Sequence, residues 1–206
     1  MRKLSFTVLL ILSVAIVAAQ SKINNSLVAT LDSIFSEDQN LRLKSDTLIK
    51  QFGWESKEVK ELWEKILYKD SINLLKVKNI INTYGWLGPD VVGKRGAQTI
   101  FLVIQHADSL TQVTYFPVMK KAVKKGKARP QDLAALEDRI LTKQGKEQIY
   151  GSQVKLNNET GKFEFFPIKD EPNVNKRRAA VGFEPLENYA KFFDINYTLP
   201  KSKNKK

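Results

Sequence analysis

The chain has 206 residues, no cysteine, a single histidine, and 34 Lys and Arg against 22 Asp and Glu, for a formal charge of +12. The lack of cysteine excludes disulfides and thiolate chemistry, and with one histidine the usual zinc sites are excluded as well. The length suits one domain with a sizeable core, and the positive field favours anionic partners.

Met1-Arg2-Lys3 precedes an apolar run from Leu4 to Val17 and then Val17-Ala18-Ala19-Gln20, the order of charge, apolar residues and small residues that a signal peptidase reads. The run is shorter than the roughly 20 residues that cross a bilayer and is interrupted by Ser5, Thr7 and Ser13. A leader over residues 1–19, cleaved after Ala19, is therefore expected in preference to a retained anchor. The mature chain is expected to be exported, periplasmic or secreted, in the bacterial manner, with no membrane span. Taking 19 residues from 206 leaves 187, and losing Arg2 and Lys3 lowers the charge from +12 to +10.

The remaining pattern predicts a mainly α fold of about six to seven helices with one C-terminal β-hairpin, in a single domain over residues 20–200. Leu27, Leu31, Ile34, Phe35 and Leu41 predict a first amphipathic helix from Asn25 to Arg42. After Gly53, Ser56 can cap a second helix whose apolar face runs from Val59 to Ile81 and stops at Gly85. A turn at Trp86-Leu87-Gly88-Pro89-Asp90 leads to Ala97–Ile104, apolar on all sides and so read as the central buried helix. Leu110 to Lys125 is helical, with Pro117 expected to kink it or split it in two. Pro130 suits the first position of another helix, with Leu133, Leu136, Ile140 and Leu141 on its buried stripe.

Beyond Gly145 the period becomes two. Val154, Leu156, Phe163, Phe165 and Ile168 flank Asn157-Asn158-Glu159-Thr160-Gly161 and predict a hairpin with a five-residue turn. Asn175–Val181, closed by Gly182, and a short helix opened by Pro185 complete the domain, and residues 201–206 read as a disordered basic tail. Much of the positive charge lies in that tail and in Lys120, Lys121, Lys124, Lys125 and Lys127 at one helix end. It reads more simply as solvated surface than as a polyanion groove.

His106, at the end of the most apolar helix, is the one side chain suited to proton exchange near neutral pH. Asp108 can orient it only if the helix ends there; otherwise Asp138 is the expected partner. Asp138-Arg139 on the next helix and the polar residues Gln148, Tyr150 and Gln153 must find partners where they meet buried segments. Arg178 can grip a carboxylate or phosphate, or pair locally. Asp38 and Arg42 are spaced for an intrahelical ion pair, worth testing as part of a site. Neither Ser109 nor Ser152 stands in a Gly-x-Ser-x-Gly setting, so a base acting on water is the economical catalytic proposal. No Walker loop, dinucleotide fingerprint, HExxH or calcium loop occurs, so no cofactor, metal or specific nucleic acid is expected.

Asp38 and Arg42, Gly85-Trp86, Gly93, Gln105-His106-Ala107-Asp108, Leu136-Glu137-Asp138-Arg139, Gln148-Ile149-Tyr150-Gly151-Ser152-Gln153 and Arg178-Ala179-Ala180-Val181-Gly182, in that order, resemble a bacterial family, domain of unknown function 6624. The resemblance covers nearly all of the mature chain, with Ser152 standing where the motif is associated with threonine. It implies no activity, substrate or cofactor, and carries no functional residue over.

Three readings follow from the residues. The His106, Asp138, Tyr150 cluster recognises a small polar or anionic ligand or a partner peptide. Alternatively it is a hydrolase or lyase site, with His106 and Asp138 catalytic and Arg139 steadying an anion. Or the motif is structural, and the basic surface meets envelope polyanions.

Overall fold

The computed structural model describes residues 23–157 and 159–201. The expected leader and all of the basic tail except Lys201 lie outside the described residues.

Helix α1 spans Asn25–Phe52, started by the Asn24 side chain accepting from the Leu27 amide and ended at Gly53, whose φ of 80° suits glycine. It runs ten residues past the expected end at Arg42, because buried Ser45 and half-buried Leu48 and Ile49 keep one face turned inward. Helix α2, Lys57–Tyr84, starts at the predicted Ser56 cap, ends at Gly85, and folds back on α1.

Helix α3, Pro89–His106, begins eight residues before the apolar stretch seen in the sequence. Its helical path is interrupted at Gly93, where φ is 71° and ψ 169°. One turn on, a β-carbon at Gly96 would lie 2.9 Å from Val92 Cβ and 3.2 Å from Leu31 Cδ1, so glycine is what lets α3 lie close against α1. Ile100 and Ile104 of α3 are fully buried with Leu31, Ile34, Val77, Met119 and Leu136 in the main core.

Helix α4, Ser109–Lys124, is one continuous helix through Pro117, which is exposed. Of the two outcomes expected at Pro117, a kink or a split, the split does not occur: a single missing amide on the solvent side leaves the packed face, Tyr115, Met119 and Ala122, intact. Helix α5, Pro130–Lys143, opens with proline as predicted and packs on α4.

Strands β1 (Val154–Asn157) and β2 (Lys162–Phe165) pair antiparallel, Val154 opposite Phe165 and Asn157 opposite Lys162. Asn157, expected in the turn, is instead the last strand residue, and its side-chain oxygen accepts from the amides of Glu159 and Thr160. A 3-10 turn at Glu171–Asn173 leads into α6 (Val174–Val181), closed by Gly182, and then α7 (Leu186–Lys191). Ile168, Val174 and Leu186 form a second, smaller core beside Phe165 and Tyr189. Among the described residues no helix is long and apolar enough to cross a membrane.

Candidate functional site

The sequence candidates divide into two groups. The first is built on Asp138, whose side chain is fully buried. Oδ1 accepts from the amides of Ile149 (2.6 Å) and Tyr150 (3.0 Å); Oδ2 accepts from the Ser152 amide (3.0 Å) and hydroxyl (2.9 Å). The carboxylate thus holds the 149–152 loop against α5 and has no capacity left for a histidine. The neighbouring candidates finish the same job. Buried Gln148 donates to the carbonyls of Gln153 and Phe166 and accepts from the Gln153 amide. Gln153 in turn donates to Ser152 Oγ. Buried Arg178 donates to the carbonyls of Glu184 and Tyr150 and lies over the rings of Phe183 and Tyr189. Its neighbour Arg177 donates to the carbonyls of Ile149 and Lys169 and pairs with Asp170. Tyr150 turns its hydroxyl to Glu137; burial first, then the carboxylates of Glu137 and Asp138, push the phenol upward.

The second group is built on Asp38, one of whose oxygens lies 3.0 Å from His106 Nδ1. Asp38 therefore takes the role expected of Asp138 or Asp108. Asp108 instead caps α4, accepting from the Thr111 amide and hydroxyl, both at 2.8 Å, which hold its carboxyl below the usual range. Only 3% of the Asp38 side chain is exposed, against 18% for His106 and 20% for Arg42. Burial works to raise the Asp38 pKa, but the bond and charge of His106, with the charge of Arg42 and a bond from Gln39, together outweigh it and hold the carboxyl low. A carboxylate at Nδ1 keeps the ring proton there and turns Nε2 outward as the free nitrogen. Among the described residues Nε2 has no hydrogen-bond partner.

Arg42 forms the expected pair with Asp38 and also grips Asp70 of α2 with NH2 at 2.8 and 3.0 Å. Burial pushes the Asp70 carboxyl up by more than Arg42 holds it down. On the far side, Gln112 of α4, fully buried, donates to the carbonyls of Gln105 and Ala107, which flank His106. Its side-chain oxygen accepts from Lys143 of α5 at 3.2 Å. Lys143 feels the charge of Arg139, one turn before it, and Arg139 feels those of Tyr189 and Arg42. Asp38, Arg42 and His106 are thus joined by direct bonds, Gln112 links the backbone beside His106 to Lys143, and Arg139 lies within range of the charges of Tyr189 and Arg42, a loose ring drawn from α1, α3, α4 and α5.

The ring is charge-unbalanced. Asp38 and Asp70 answer His106 and Arg42, but Arg139 forms no ion pair or side-chain hydrogen bond with another described residue, and its Nε is buried without a partner. Burial lowers the Arg139 pKa, with Tyr189 opposing it and Arg42 adding to it; burial and Arg139 lower that of Lys143. The Gln105 side-chain oxygen is likewise buried and unpartnered.

The candidates therefore fall together as Asp38, Arg42, His106 and Arg139 in the ring, and as Asp138, Gln148, Tyr150, Gln153 and Arg178 in the loop anchor, with Asp108 serving α4. Asp70, Gln112 and Lys143 were not anticipated. The i to i+4 spacing of Arg139 and Lys143 was the one signal in the sequence for any of them.

Residues 26–203 match a family of unknown function, DUF6624. The chain belongs to that family. No curated protein and no solved structure matches it. Every residue of both groups falls inside the matched span.

Proposed function

We propose that the protein binds a small anion, a carboxylate or a phosphate ester, at the ring of His106, Arg42, Arg139 and Lys143. The observation that carries this reading is Arg139, half-buried, with its Nε shielded from solvent without a partner and its guanidinium answered by no carboxylate among the described residues. Shielding part of an unpaired cation from water costs free energy that a bound anion would return. Arginine is the side chain suited to holding a planar carboxylate or phosphate through two parallel bonds. His106 and Arg42 keep enough exposure for a solute to reach the ring, and Nε2 offers it a further polar contact.

The test is a thermal-shift titration with inorganic phosphate, citrate and a panel of small carboxylic acids, run on the wild type and on Arg139→Met. A true ligand raises the wild-type melting temperature in a saturable way and leaves the variant unmoved. General stabilisation by excluded salt raises both alike, and that result would overturn the reading.

A second reading has its own observation. Asp38 on Nδ1 and an unengaged Nε2 is the arrangement in which histidine removes a proton from water or substrate, with Arg139 and Lys143 placed to stabilise a developing negative charge. On a compound that binds, turnover abolished by His106→Gln while binding survives would establish it, and a bound compound recovered unchanged would exclude it.

A further inference from the structure

A cavity of about 620 Å³ lies at the opposite end of α3, α4 and α5 from the His106 ring, where α3 starts, α4 ends and α5 starts. It falls in the range of about 300–1,000 Å³ common to small-molecule sites. Its walls are apolar: Pro89 and Ala97 from α3, Val123 from α4, Ala128 and Pro130 from the turn into α5. Two glycines shape it. Gly126, with φ of 68°, turns the chain back after α4, and a β-carbon at Gly88 would lie 3.0 Å from Lys127 Cα, so the turn before α3 packs directly on that backbone.

The charges on its rim are unequal. Arg129 and Asp132 bind each other through two bonds, at 2.6 and 2.9 Å, and neutralise one another. Lys94 and Lys127 line the same cavity and form no ion pair with another described residue; Asp90, beside Lys127 at the start of α3, offsets part of their charge, and with Lys124 and Lys125 nearby on the chain the rim stays positive. An apolar interior with a net positive rim selects a molecule that is greasy along its length and negative at one end. A neutral amphiphile would leave the lysines unanswered, and a polyanion would leave the apolar walls uncovered.

We propose that this cavity binds an amphiphilic monoanion, its aliphatic chain against Ala97, Val123 and Ala128 and its acidic head at Lys94 and Lys127. The site is independent of the His106 ring and shares no residue with it.

The test uses decanoate below its micelle concentration, followed by calorimetry on the whole protein, beside decanol and decyltrimethylammonium as neutral and cationic counterparts. Saturable binding of decanoate, weaker by about fivefold or more for decanol and undetectable for the cation, is expected. Lys94→Gln with Lys127→Gln, which keep the side-chain stems and remove the charges, should bring decanoate down to the decanol affinity, since each such pair is worth up to about a fivefold change; circular dichroism checks that this variant too is folded. Ala97→Phe, which fills the cavity, should abolish binding, with circular dichroism checking that the variant is folded. Equal affinity for all three amphiphiles, or decanoate binding untouched by both the lysine pair and a folded Ala97→Phe, would overturn the proposal. If Ala97→Phe does not fold, the lysine pair decides alone.

Discussion

Asp138 and Arg139 are consecutive on α5, the first fully buried and the second half-buried, and opposite in situation. Asp138 spends both oxygens on three backbone amides and a hydroxyl; Arg139 has a buried Nε and no partner among the described residues. A buried charge met by several hydrogen bonds is a structural anchor, whereas a partly desolvated charge left unmet is retained at a cost to stability. One dipeptide therefore separates what holds this fold from what the fold holds ready.

That contrast breaks most visibly at Asp138. Asp138→Ala orphans the amides of Ile149, Tyr150 and Ser152, and should cost at least about 3 kcal/mol, measured as a fall in the urea midpoint with an unchanged slope. Gln148→Ala, which removes three bonds from the same loop, should cost about 2 kcal/mol in the same assay. A loss below about 0.5 kcal/mol at either position would mean that the loop is held by its apolar contacts and not by the network.

In the ring, His106→Ala should cost less, about 1 to 2 kcal/mol, because Asp38 keeps Arg42 and Gln39. The folded Asp38 carboxyl titrates below its ordinary value, so its contribution is whole at neutral pH and drains away as pH falls through the folded pKa. Asp38→Asn should therefore flatten the acid side of the stability profile. Asp70 and Asp132, raised by burial, act with the opposite sign and gain as pH falls, so the comparison must be made against the wild type at each pH. Superposable profiles for wild type and Asp38→Asn would show that the Asp38 carboxyl is not held low in the folded protein.

The helices were legible because their signals are local. Ser56, Pro130, Gly85 and Gly182 each sit within a residue or two of the boundary they set. α1 outran its reading because the polar run Lys44-Ser45-Asp46-Thr47 looks like a loop until the half-buried Leu48 and Ile49 are seen to continue its inner face. Pro117 left a kink and a split both open because its effect depends on which side of the helix lacks an amide, and that is a fact of packing. The site was half legible. Asp38 with Arg42, and Arg139, could be singled out, but His106 lies 68 residues from Asp38 and Asp70 lies 28 from Arg42. No spacing rule joins such pairs. Asp70, within Tyr68-Lys69-Asp70-Ser71, has the look of a solvated helix face. Asp138 was drawn toward His106 by its chemistry, while the amides that claim it are invisible in a string of letters.

The smallest stability effect carries the most weight. Arg139→Met keeps the stem that packs and removes the charge that has no partner. The central claim predicts that this variant melts at or up to about 1 kcal/mol above the wild type, and that it loses the saturable rise in melting temperature that a bound phosphate or carboxylate gives the wild type. A variant that melts well below the wild type, or one that gains as much from every anion, would contradict it and place Arg139 with Asp138 among the residues that only hold the fold.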